Sequence, residues 1–165
     1  MDEPARTATA LIRVAVIGYG YWGPNLVRNF SGLEDCVVVA VCDLDESARA
    51  AAARLYPGVR ILADVEELLA ADDVDAVAIA TPVSTHFRLA EQVIRSGRHT
   101  LIEKPMTATS EEARELITLS EAAGVVLMVD HTFLYTGAVR KMRALLDEGE
   151  IGTPYYFDSE RISLG

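Results

Sequence analysis

Apolar and polar positions along this chain alternate between two rhythms. Short runs that are apolar almost throughout cover 12–17, 37–42, 59–62, 76–80, 99–102 and 125–129. Between them, over 24–30, 47–55, 65–70, 85–96 and 110–123, apolar residues return every three to four positions, the helical period. A strand with no polar side must be covered on both faces, and such strands joined by helices form a parallel sheet. The pattern therefore predicts an α/β fold: a doubly wound, six-stranded parallel sheet whose winding reverses beside the first strand. The punctuation agrees with it. Asp45 and Ser47 are candidate helix caps, Ser110 with Glu111 and Glu112 opens a helix, and Gly97 and Gly124 are candidate stops.

Beyond Asp130-His131-Thr132 the rhythm changes. A helical segment over 137–148 leads through Gly149-Glu150-Ile151-Gly152 to a strand-like stretch from Tyr155 to Leu164. A lone strand cannot pair its own backbone groups, so this stretch is expected to begin a second, truncated α+β domain. The expected organisation is a loose tail over 1–10, a first domain over 11–135, and a crossover helix with that first strand over 136–165.

Composition narrows the partners. The formal net charge of −10 argues against nucleic acid, and no apolar run is long enough to cross a membrane. The first ten residues lack a basic region followed by an apolar core, so no secretion signal is read and a cytoplasmic location is expected. Cys36 and Cys42 lie at opposite ends of one expected strand, roughly 20 Å apart. That exceeds the ~7 Å limit for a disulfide, and free thiols are expected. No residue cluster has metal-ligand spacing.

The chemistry gathers at strand ends. The first apolar run leads straight into Gly18-Tyr19-Gly20-Tyr21-Trp22-Gly23 and then Pro24, a residue tolerated in a first helical turn. Strand, glycine turn and helix are the context in which a G-x-G-x-x-G motif binds a dinucleotide. Gly18 permits the tight turn, Gly20 lets a pyrophosphate approach the backbone, and Gly23 lets the helix pack close to the strand. Amides at the helix start then meet the phosphates. Tyr21 and Trp22 either cover the cofactor or pack on the next strand's loop. About twenty residues on, the second strand ends at Asp43, where a carboxylate accepts from ribose hydroxyls and repels a 2′-phosphate. With Leu44 and Asp45 following it, NAD is expected over NADP. Thr81-Pro82 with His86, Glu103-Lys104-Pro105 and Asp130-His131 follow the fourth, fifth and sixth strands, and so converge on the same edge of the sheet.

On Val16-Ile17-Gly18-Tyr19-Gly20, Ala80-Thr81-Pro82 with His86, and Glu103-Lys104-Pro105, the sequence resembles the glucose–fructose oxidoreductase/inositol dehydrogenase family (Gfo/Idh/MocA) over nearly its whole length. Glu-Lys-Pro after the fifth strand is the strongest mark. Gly20 to Asn25 and His131 to Tyr135 look most like members acting on sugars, including nucleotide-linked sugars. The resemblance implies a Rossmann domain and NAD(P)-dependent hydride transfer between nicotinamide and a sugar, nucleotide-sugar or cyclitol carbinol. It implies that Lys104 holds the reacting oxygen and helps move its proton, a role that needs burial or the positive nicotinamide beside it. Glu103 contacts the nicotinamide ribose, orients Lys104 or forms a surface ion pair, and Pro105 fixes the backbone. His86 and His131 are candidates for the cofactor pocket; a histidine with no catalytic duty is the alternative for His86. The family's substrate domain is not reached by this chain, so the chain is expected to bind cofactor with little turnover. A non-catalytic NAD-binding module or sensor is the competing reading. A weaker one is self-association through the terminal strand, giving a homo-oligomer.

Overall fold

The structure, a computed structural model, describes residues 11–160 and 162; the tail expected over 1–10 lies outside them. The chain runs β1 (Ile12–Ile17), α1 (Gly23–Ser31), β2 (Cys36–Cys42), α2 (Glu46–Leu55), β3 (Arg60–Leu62), α3 (Val65–Leu69), β4 (Ala76–Ile79), α4 (Val83–Arg95), β5 (His99–Glu103), α5 (Ser110–Ala123) and β6 (Leu127–Asp130). All five strand pairs are parallel and the order is β3-β2-β1-β4-β5-β6. The winding reverses between β1 and β4, as the pattern predicts.

The two-sided apolar strands are explained by which layer each residue meets. Ala15, Ile17, Val77, Ile79 and Ile102 face a core completed by Leu68 of α3, Ala90, Val93 and Ile94 of α4 and Leu116 of α5. Val16, Val41 and Ala78 face the opposite core, closed by Leu26 and Val27 of α1 and Ala52 of α2. Alternation slips once: the β1–β2 register shifts between Val14 and Ala15, so Val39 and Ala40 pack toward the same side.

Helix ends follow local chemistry. Asp45 caps α2 through the Ser47 and Ala48 amides, and Asp64 caps α3 through Glu66. Helix α5 opens at Ser110 as expected, and Thr109 ahead of it is the cap, forming a reciprocal capping box with Glu112. Gly97 and Gly124 both take positive φ at helix ends. Both cysteines are free, and burial pushes the Cys42 thiol up to about 11.

Contacts divide the chain between Asp130 and His131. The second unit holds a 3-10 turn (Thr132–Tyr135) and α6 (Gly137–Asp147), neither with a buried residue. The stretch expected as a strand from Tyr155 is not one: residues 155–160 and 162 form no ladder, since no neighbouring strand lies beside them among the described residues of that unit. No helix among the described residues is long and apolar enough to cross a membrane.

Candidate functional site

The turn after β1 is built around glycine. Gly18 has φ +94°, and a Cβ there would sit 2.7 Å from the Ala80 carbonyl oxygen at the end of β4. At Gly23 a Cβ would fall 2.0 Å from the Gly18 carbonyl oxygen, so helix and strand can meet only without it. Gly20 differs, because a Cβ there would meet nothing within 4 Å. The first and third glycines serve the fold, and the middle one leaves bare backbone facing outward. This is the arrangement a diphosphate needs.

Helix capping separates the β1–β4 seam from the rest of this edge. Side chains cap α2, α3 and α5, but not α1 or α4. The N-cap residues of those two helices, Trp22 and Pro82, offer no side-chain acceptor, and neither first turn carries an acidic residue. Both helices start where the winding reverses, so two uncapped, electropositive helix starts flank the β1–β4 seam. The residues present thus fit a nicotinamide dinucleotide: an exposed glycine backbone, free helix starts and a carboxylate at the end of β2.

That carboxylate has a second duty. Asp43 accepts the Tyr19 N–H at 2.5 Å on Oδ2 and the Asp45 N–H at 2.8 Å on Oδ1, tying the glycine turn to β2. A carboxylate has about four acceptor sites, so capacity for ribose hydroxyls remains. Arg49, absent from the sequence-based reading, braces the same loop by donating to the Asp43 and Leu44 carbonyls at 2.9 and 2.8 Å. The Tyr19 ring is packed into the core. Tyr21 and Trp22 stack on each other with centroids 6.0 Å apart, and Tyr21 is 92% exposed.

Across the seam, Thr81 accepts a hydrogen bond from the Thr85 hydroxyl at 2.7 Å. His86, 2% exposed, lies 2.8 Å from the Thr81 carbonyl oxygen through Nε2 and 2.9 Å from that of Pro105 through Nδ1. Both partners accept, so whichever nitrogen carries a proton donates. The ring links the loop after β4 to the loop after β5. His86 is thus an internal brace with no face toward solvent.

Lys104 is exposed at the end of β5, and its peptide bond to Pro105 is cis. Its N–H donates to Glu103 Oε2 at 3.1 Å. Glu103 is buried, and its carboxyl is pushed up to about 7 by desolvation and by the Asp130 carboxyl within hydrogen-bonding reach. The register pairs Glu103 with Asp130 directly. Gly18, Gly20, Gly23, Asp43, Thr81, Pro82, His86, Glu103 and Lys104 all fall on the carboxyl-end rim, whereas His131 opens the second unit. The part of Asp130 as partner to Glu103 depends on pairing two strands distant in sequence, which no local pattern reveals.

Residues 12–131 match the GFO_IDH_MocA model, described as an oxidoreductase family with an NAD-binding Rossmann fold. D-apiose dehydrogenase of Paraburkholderia graminis is 31% identical over 91% of this chain and 40% of its own length. UDP-N-acetylglucosamine 3-dehydrogenase of Acidithiobacillus ferrooxidans is 35% identical over 92% of this chain and 46% of its own. Among solved structures, GenD2 from gentamicin A biosynthesis, in complex with NAD, superposes with a TM-score of 0.82 at 30% identity, covering 91% of this chain and 43% of that one. The chain spans less than half the length of these relatives.

Proposed function

As the chain belongs to the Gfo/Idh/MocA oxidoreductase family, we propose that it is the cofactor-binding part of a dehydrogenase acting on a carbinol of a sugar, nucleotide sugar or cyclitol, with NAD preferred over NADP. The observation that carries this reading is the shared rim: a glycine turn with bare backbone at Gly20 and an uncapped α1, on the same sheet edge as Lys104. When bound, nicotinamide accepts or delivers the hydride.

The chain's own residues do the rest. Backbone amides at the turn and at the start of α1 hold the diphosphate. Asp43 accepts from the adenosine ribose hydroxyls, and its charge disfavours a 2′-phosphate. Lys104 holds the substrate oxygen and moves its proton. Thr81, Pro82 and His86 shape the wall beyond the seam, with His86 acting through the carbonyls it links. The names of the relatives support sugar chemistry, D-apiose and UDP-N-acetylglucosamine among them.

Calorimetric titration with NAD and NADP in parallel tests this reading. Saturable binding with NAD tighter is expected. Tighter NADP would remove the Asp43 argument, and absence of binding to either would remove the function.

A further inference from the structure

Glu103 is only 8% exposed at the end of β5, with Asp130 opposite it at the end of β6. One carboxyl oxygen, Oε2, receives the Lys104 N–H, while Oε1 is buried and meets no donor. The Asp130 carboxyl is the polar group within reach. Two ionised carboxylates cannot bond to one another, because each only accepts. Burial and a like charge both oppose the second ionisation. A single proton turns that repulsion into a short, charge-assisted O–H···O bond.

We propose that Glu103 and Asp130 hold one proton between them as an acid–carboxylate pair, and that Asp130 is thereby a positioning residue for Lys104. It acts through the Glu103 carboxyl that receives the Lys104 N–H. The pair stands on the fold alone; its bearing on catalysis rests on the proposed role of Lys104. The charged and titratable groups around it are few. The Lys104 ammonium works against the proton, Asp130 works for it, His86 on α4 reaches the neighbouring Pro105 carbonyl, and His131 follows Asp130 along the chain. When the proton leaves, it goes to solvent, and the Lys104 N–H then faces a full carboxylate beside a second one.

Nuclear magnetic resonance on the full chain tests this without cofactor. The Glu103 carboxyl carbon and the Lys104 amide nitrogen are followed together across neutral pH. Both are expected to move with one midpoint near about 7. In Asp130→Asn the Glu103 midpoint is expected to fall, a loss of roughly tenfold or more in proton affinity. In Glu103→Gln the Lys104 step is expected to vanish. A Glu103 carbon that titrates in the ordinary carboxylate range overturns the proposal, and the wild-type chain alone can show it. So does an unchanged midpoint in Asp130→Asn, or a Lys104 step that survives Glu103→Gln. Because NAD is absent from the sample, a failure here is separate from a failure of dinucleotide binding.

Discussion

Gly20 and Gly23 share one loop, yet replacing them should fail in different ways. A methyl group at position 23 collides with the Gly18 carbonyl at 2.0 Å, backbone against backbone. Gly23→Ala is expected to lose about 2–4 kcal/mol of stability, read by denaturant unfolding. Gly20→Ala meets open space, so its unfolding midpoint should match the parent while NAD affinity falls roughly tenfold, about 1.4 kcal/mol. Glu103 gives a second residue-scale expectation. Its carboxyl is raised from 4.5 to about 7, so the folded state binds the proton more tightly than the unfolded chain. The stabilisation is complete below 4.5 and is lost as pH rises through about 7. Thermal unfolding should therefore show the parent losing stability relative to Glu103→Gln between those pH values, and parallel curves would refute it.

Among the elements, β1 is fastened at both ends by different means. At its carboxyl end lie the glycine turn and Asp43. Near its start, Arg13 donates to Asp75 from its N–H at 2.8 Å, from Nε at 2.9 Å and from Nη2 at 2.6 Å, while the Asp75 N–H returns a bond to the Arg13 carbonyl. The guanidinium holds the Asp75 carboxyl down at about 2. This contribution is present above 3.8 and disappears as pH falls toward about 2. Asp75→Asn should lower the melting temperature at neutral pH and leave NAD affinity unchanged, because it lies at the edge of the sheet away from the turn. A comparable loss of NAD affinity would show the two edges to be coupled. Element identity was legible from sequence because strands sandwiched between layers are apolar on both sides, and β1 was located to the residue. Boundaries were less so. Val125 and Val126 look like strand but belong to the exit from α5, where the Val125 N–H returns to Ser120 and the Val126 N–H meets His99 Nδ1. The rim residues were readable from their place after each strand. The inward bonds of Asp43, the bracing by His86 and the pairing of Glu103 with Asp130 were not, since each depends on segments brought together only by the sheet.

For the molecule as a whole, burial is distributed unevenly. Residues 11–130 carry two cores on opposite faces of one sheet, whereas the 3-10 turn and α6 hold no buried residue, and Tyr155, Tyr156 and Phe157 are exposed. Amide hydrogen exchange should follow that division, with β1, β4 and β5 protected and α6 exchanging orders of magnitude faster. Equal protection in both would refute that division. The bare starts of α1 and α4 have a consequence at this scale too. A peptide donor without an acceptor is a small local conflict that folding leaves standing, and a polar cap at position 22 would resolve it from within. The chain has tryptophan there instead. Under the proposed function such a domain is expected to reach its most settled state only in company, with a bound diphosphate supplying acceptors at those starts and NAD slowing amide exchange along the seam.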